Sequence, residues 1–379
     1  MSARTSNGPG ILTRVFGSQW FVSVLAVLIA FVIGAVLIAL SGASVLDAYY
    51  AMFRGSIIDP NAATFVRQIK PLTDSLFYSI PLIISGLGLA LGFRAGLFNI
   101  GGKGQIIVGA LAAVWVGFAV NLPPVVHTLV ALLVAIVAGG LYAGIAGVLK
   151  AKTGANEVIV TIMLNSIATL GLGYTLTQKA WQVPGSNQPV TPKVADSAAL
   201  ARLLPAPFKL HVGFIVALVA LAFFWWLIER STLGFQIRAV GANAAAARTA
   251  GISVERITAI TMVLSGAFLG LAGANEALGT IGYVSRDVAG SIGFDAITVA
   301  LLGRNKTWGT FGAGLLFGAF KAGGYTMQAK GVPIDMILIL QSVIVLLIAA
   351  PALVRWLFRL PDVRALAAQT RKGNADEHK

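Results

Sequence analysis

The stretch that decides how this chain is read is Glu229-Arg230-Ser231-Thr232-Leu233-Gly234-Phe235-Gln236-Ile237-Arg238-Ala239-Val240-Gly241-Ala242-Asn243-Ala244-Ala245-Ala246-Ala247-Arg248-Thr249-Ala250-Gly251-Ile252-Ser253-Val254-Glu255-Arg256-Ile257. It is polar and bears arginines, and apolar runs flank it on both sides. Within it Asn243 can cap the first free amides of a helix, and alanines have the highest helix propensity. Gly251 can take the left-handed conformation that ends the helix. A helix too short and too polar to cross a bilayer, held between two long apolar segments, presents itself to the aqueous side, and the stretch reads as the contact surface for a soluble partner.

Around this insert the composition is that of a membrane protein. The chain has 379 residues, 57% hydrophobic and only 11% charged, with a mean hydropathy of +0.84, which places it among polytopic membrane proteins. The net charge of +14 reads as basic residues between apolar spans meeting anionic lipid headgroups and setting topology. Nucleic acid is not an expected partner, because basic groups interleaved with aromatics are absent. With no cysteine in the chain, disulfides, thiolate catalysis and thiolate metal sites are excluded. His127, His211 and His378 are far apart in sequence and suggest no metal centre.

About 20 apolar residues cross a bilayer core, and ten segments answer to that: 20–40, 72–92, 104–120, 126–149, 157–177, 210–228, 258–280, 290–303, 308–328 and 332–357. The third and eighth are short, and short or broken helices are tolerated where they line a covered cavity. With the N-terminus inside, 17 of the Lys and Arg fall on the inner side and 9 on the outer, with Lys321 and Arg355 inside spans, so both termini are expected in the cytoplasm. The expected organisation is a cytoplasmic tail 1–19, a transmembrane region 20–357 and a cytoplasmic tail 358–379. The region 178–209 forms an outer loop, and 229–257 is the inner insert. The first apolar run is too long for a secretory signal core and is expected to stay as an anchor. The outer loop carries Pro184, Pro189, Pro192, Pro205 and Pro207 and is expected to be irregular.

Gly96-Leu97-Phe98-Asn99-Ile100-Gly101-Gly102-Lys103-Gly104-Gln105 has the look of a phosphate loop but lacks its spacing. Leu97 stands where the first glycine belongs, and Gly104 follows the lysine where Ser or Thr is needed. Its glycines suit tight turning and close helix packing, with a direct pathway role for Asn99 or Gln105 as the other reading. In the fifth span Glu157, Thr161 and Asn165 are spaced four apart and share one helix face. Polar groups in a bilayer turn toward the bundle interior, so this stripe is the first choice for the pathway wall. Asn156 and Glu157 also suit a helix start. Asn275, Glu276, Asp295, Asp335 and Lys321 are the remaining polar candidates, for structural pairing or for a proton relay. No catalytic serine elbow or zinc-protease signature is present, so no catalytic residue is expected.

Four runs carry a family resemblance: Gly92-Phe93-Arg94-Ala95-Gly96-Leu97-Phe98-Asn99-Ile100-Gly101, Ala155 through Asn165, Thr232-Leu233-Gly234-Phe235 through Gly251-Ile252, and Gly293-Phe294-Asp295-Ala296-Ile297-Thr298-Val299-Ala300-Leu301-Leu302-Gly303. In this order the chain resembles permease subunits of ABC importers of the branched-chain amino acid, ribose and simple-sugar group, and within it the nucleoside permeases that work with basic-membrane-protein-type lipoproteins. The resemblance implies an all-α polytopic fold of the type II importer kind in a bacterial inner membrane. It implies a second, similar permease as heterodimer partner, a cytoplasmic ATPase with two nucleotide-binding domains that holds ATP and Mg, and an extracytoplasmic substrate-binding lipoprotein. This chain would bind no cofactor or metal of its own. The family's coupling helix carries over to Gly241 through Gly251, with Arg238, Asn243 and Arg248 as further candidate contacts. Ala244-Ala245-Ala246 departs from the acidic or proline residues frequent there. The competing reading is a secondary transporter driven by an ion gradient through Glu157, Glu276 and Asp295.

Overall fold

The computed structural model describes residues 19–333 apart from 187 and 330, with isolated positions between 336 and 347. The tail 358–379, Asp335, His378, most of tail 1–19 and most of the tenth predicted span lie outside the described residues. The described chain is helical: α1 Gln19–Leu40, α2 Val45–Ser56, α3 Phe65–Arg94, α4 Gly102–Ala119, α5 Val126–Thr153, α6 Glu157–Thr175, α7 Gly213–Arg230, α8 Thr232–Ala242, α9 Ala244–Thr249, α10 Val254–Asn275, α11 Ile292–Leu302 and α12 Thr307–Gln328. A π turn, Glu276–Ile281, continues α10. Among the described residues, β pairing amounts to one isolated bridge between Arg202 and His211.

Among the described residues, six helical segments are long and apolar enough to cross a membrane: α3, α4, α5, α6, α7 and α10 with its π extension. The last part of α1 and the whole of α11 are shorter apolar helices. The chain is therefore a multi-pass helical protein, and helices lie at nine of the ten predicted positions. The stretch 41–71 between the first two predicted spans is not simply a connection: it contains α2, with Asp47 in its first turn and Arg54 in its last, matching the helix dipole. The second predicted span begins earlier, at Phe65, where Thr64 caps α3 by accepting from the Arg67 amide. The hydropathy of 65–71 is diluted by Arg67, Gln68 and Lys70, so an apolar window starts late.

Two units divide the chain, 51–326 and 1–50 with 327–379. In the latter the Tyr49 hydroxyl donates to the Phe31 carbonyl, and the two rings meet edge-on at 5.5 Å. The core of the former is built on α10, packed against α5, α4 and α3. Lipid is as apolar as leucine, so helices in a bilayer gain by close backbone approach at small residues. A Cβ on Gly139 of α5 would lie 2.5 Å from the Gly266 carbonyl oxygen and 2.6 Å from the Gly270 Cα. No larger residue fits that crossing. The π turn at the far end of α10 leaves Gly282 left-handed at φ 80, and the chain turns back toward α11.

Candidate functional site

The insert folds as two helices rather than one. Ser231 caps α8 by accepting from the Gly234 amide at 2.9 Å. Asn243 then breaks the helix with extended backbone, φ −162, and its side chain accepts from the Ala246 amide at 3.0 Å, starting α9. The capping role expected of Asn243 is thus present. At the other end Gly251 has φ +83. Its amide donates to the Arg248 carbonyl, and the Ile252 amide to the Ala247 carbonyl, both at 3.0 Å, the paired bonds of a Schellman ending. Ser253 caps α10 next, so three polar caps and one glycine shape the whole insert.

The two short helices enclose a groove of about 570 Å³ lined by Phe235, Gln236, Ala239, Asn243, Ala246 and Ala247 among others. Phe235 is 60% exposed at its edge. The small side chains of Ala239, Ala242, Ala246, Ala247 and Ala250 leave the groove open. Sequence reasoning singled out the arginines and overlooked Phe235 and Gln236; an aromatic residue inside a polar insert was the available signal.

The insert is tied to the spans by tight contacts. A Cβ on Gly241 would overlap the Arg94 carbonyl oxygen and lie 3.0 Å from the Ala95 carbonyl carbon, so α8 lies directly on the end of α3. Arg94 Nε donates to the Asn305 carbonyl at 2.7 Å, joining the same point to the α11–α12 turn. There Arg304 and Asn305 both have left-handed φ, 56 and 55, which is costly for non-glycine residues. Glu229 lies 3.9 Å from Arg94 and 3.8 Å from Arg238. Arg238 also donates to the Ile228 carbonyl, so it holds α8 against the end of α7. Arg248 is exposed and paired with Glu255 of α10.

The second group of candidates gathers on loop 96–101. Glu157, Thr161 and Asn165 do share one face of α6, and that face meets the loop. Lys150 pairs with Glu157 at 2.9 Å, and the Phe98 amide approaches the same carboxylate at 3.4 Å. Thr161 Oγ1 accepts from the Ile100 amide at 3.3 Å. Asn165 accepts from the Gly104 amide at 2.7 Å and donates to the Ile100 carbonyl at 2.8 Å. Asn156 caps α6, accepting from the Val158 and Ile159 amides. Asn99 is buried. It exchanges two 3.0 Å hydrogen bonds with Gln105, accepts from the Gly101 amide at 2.9 Å and donates to Ser265 of α10 at 2.9 Å. The loop is a polar clasp between α6 and α10, and its glycines serve close approach, as expected.

Among the described residues, no group of three or more His, Asp or Glu is placed to hold a metal.

Several known proteins are similar to this chain over most of its length. It is 39% identical to the guanosine ABC transporter permease protein NupP of Bacillus subtilis over 349 residues, covering 89% of this chain and 95% of that protein. It is 35% identical to the glucose ABC transporter permease protein TsgB13 of Haloferax volcanii, covering 85% of each chain. With the nucleoside ABC transporter permease protein NupB of Lactococcus lactis it shares 30% identity over 92% of this chain and 94% of that one. No solved structure matches. The family described as the branched-chain amino acid transport system permease component matches across residues 72–349, a range that takes in most of α3, all of α4 through α12 and both candidate regions, and the chain belongs to that family.

Proposed function

We propose that this chain is a membrane-spanning subunit of an ATP-driven importer for nucleosides or related simple sugars. The observation that carries this is the 39% identity to a guanosine permease over nearly the full length of both proteins. The remaining parts of the machine would be a second permease, an ATPase with two nucleotide-binding domains holding ATP and Mg, and a binding lipoprotein at the outer face of a bacterial inner membrane. The reading retains ten spans and cytoplasmic termini. The least buried of the six long spans is α6, which exposes Met163, Ile167 and Leu170, a face suited to the second permease or to lipid.

In this reading the α8–α9 groove seats a projecting part of the ATPase. Closure of the ATPase displaces α8. Because Gly241 and Arg94 leave no slack, α3, α7 and the α11–α12 turn move with it. The spans then rock between inward- and outward-open states, as two-state transporters do. Glu157, Thr161, Asn165 and Asn99 contribute to the pathway by keeping loop 96–101 in shape. Arg248 and Phe235 are the side chains offered to the ATPase.

The test is ATP-driven uptake in liposomes by the assembled importer carrying Gly241→Pro or Arg248→Glu, with assembly measured separately. Loss of uptake in an assembled complex supports coupling through the insert, and full uptake in both variants overturns it. The chain reconstituted alone is expected to move no solute. Accumulation there on an ion gradient would replace this reading with secondary transport.

A further inference from the structure

A second groove, of about 410 Å³, lies between α5, α7 and α10. Every residue that lines it is apolar, with Leu129 and Leu133 of α5, Ile215, Val219 and Phe223 of α7 and Phe268 of α10 among its walls. Leu133 is 59% and Val219 63% exposed. Apolar side chains on the outside of a span are ordinary, but an open groove leaves its lining without dispersion partners, so what fills it matters.

The groove starts at one end of its helices. Leu129 lies three residues into α5, Ile215 two into α7, and Leu271 four before the end of α10. Along α7 the wall runs on to Phe223, about 12 Å at 1.5 Å per residue. One leaflet supplies about 15 Å of a hydrocarbon core about 30 Å thick, so the groove is close to one leaflet deep. At its inner end the Phe223 and Phe268 rings, with centroids 6.1 Å apart, bridge α7 and α10.

The mouth is built by one short segment of the loop 178–209. Ser197 meets α5, its hydroxyl 2.8 Å from His127 Nδ1 and its carbonyl accepting from the Thr128 hydroxyl at 3.2 Å. The Leu200 amide donates to the Leu278 carbonyl, in the π turn that continues α10, at 3.0 Å. The Ala201 carbonyl accepts from the Val212 amide at 2.9 Å, and Arg202 is bridged to His211. His211 in turn accepts from the amide of Gly213, the first residue of α7, at 3.0 Å. Residues 197–202 therefore tie together the three helix ends from which the groove walls descend, and Arg202 stands at the mouth. Lys209 lies on the facing arm of the same hairpin, which the Leu203 amide closes on the Leu210 carbonyl at 2.9 Å. Both cations are exposed. With Lys193, and against the one carboxylate of Asp196, they give the stretch 193–209 a net charge of +2.

We propose that this groove seats one acyl chain of an anionic phospholipid from the leaflet remote from the insert, with the headgroup phosphate against Arg202 and Lys209. A lipid chain is apolar along its whole length and hangs from a headgroup at the membrane surface. That shape matches a groove with no polar wall, about one leaflet deep, with cations at its mouth, and basic residues at a membrane surface attract anionic lipid. Because α7 continues directly into the insert, a seated chain packs beside the span that leads to α8. Such a site requires only that these helices span a membrane, so it stands or falls apart from the transport reading.

The test places the assembled importer in phosphatidylcholine nanodiscs containing a minority of phosphatidylglycerol that carries a diazirine midway along one acyl chain. After irradiation the labelled residues are mapped by mass spectrometry. Labelling of Leu133 and Val219 is expected to exceed that of Leu141 and Ile145, which are exposed on α5 outside the groove, by at least about fivefold. The same diazirine carried on phosphatidylcholine is expected to label the walls about fivefold less, the scale of one cation near an anionic headgroup, and Arg202→Gln with Lys209→Gln is expected to bring the two lipids level. Val219→Trp, which fills the groove from an exposed position, is expected to lower labelling of Leu133 to the level of Leu141. Wall labelling no higher than at Leu141 in the unmodified protein, equal labelling by the two lipids there, or a preference unchanged in the double variant overturns the proposed lipid site. The chain has no cysteine, so Val219→Cys supplies a single thiol; its cross-linking to another protein of the importer would place protein over the groove and overturn lipid occupancy as well.

Discussion

Asn99 and Gln105 offer a sharp test of the loop clasp, because their amides are bonded to each other as well as to their surroundings. Asn99→Leu removes four hydrogen bonds: two of 3.0 Å to Gln105, and one of 2.9 Å each to the Gly101 amide and Ser265. The Ser265 hydroxyl can turn to a helix carbonyl, but both polar atoms of the Gln105 side chain and the Gly101 amide are left buried. At roughly 1–3 kcal/mol for each orphaned group, reduced because a chain unfolded in a membrane-like medium also finds partners, the cost is about 2–4 kcal/mol. Gln105→Leu orphans less, since Asn99 keeps Gly101 and Ser265, and costs about 1–2 kcal/mol. The double variant removes the Gln105 atoms that the first substitution had stranded, so it costs less than the sum by about 1–2 kcal/mol. The measurement is reversible unfolding of the purified protein in mixed detergent micelles for all four members of the cycle. Costs that add within about 0.5 kcal/mol, the scatter of independent sites, would refute the reciprocal pair.

Three further outcomes are expected. Gly241→Ala strengthens α8 as a helix by about 1 kcal/mol while forcing it off the Arg94 carbonyl; uptake per ATP hydrolysed is therefore expected to fall in a complex that still assembles, and an unchanged ratio would rule out coupling through this contact. Gly270→Leu places a large side chain against the Ala135 carbonyl and Gly139 and is expected to lower the thermal stability of the protein, overpacking costing about 1–3 kcal/mol, whereas Gly171→Leu, with open space around it and a better helix former in place of glycine, is expected not to lower the melting temperature. His211 accepts the Gly213 amide at Nδ1, 3.0 Å away, so its neutral form is the one held. Burial lowers its pKa from 6.5 to about 4. The unfolded chain therefore takes up this proton first as pH falls, stability declines between about pH 6.5 and about pH 4 and His211→Gln is expected to flatten that decline in a pH series of melting curves.

Much of this was legible in the sequence because a bilayer imposes simple rules. Helical segments were readable from length and hydropathy, the Asn243 and Asn156 caps from residue type, and the shared face of Glu157, Thr161 and Asn165 from a spacing of four. The early start of α3 was hidden by Arg67, Gln68 and Lys70, since polar residues near a helix end lower an average without preventing the helix. The internal bond of Arg238 was also hidden: residue type alone does not show that its guanidinium reaches the carbonyl at the end of α7.

The sequence by itself determined that the chain is helical and membrane-spanning, where the insert lies, and that Asn243 starts and Gly251 stops a helix within it, because those properties depend on local composition and on neighbours within about one turn. Only the tertiary structure decided that the α6 stripe clasps loop 96–101 and that Gly241 presses on the end of α3. Those arrangements join residues tens to hundreds of positions apart, and which helix faces approach each other is set by the fit of small residues across helix crossings, a property of pairs of surfaces that no single segment carries.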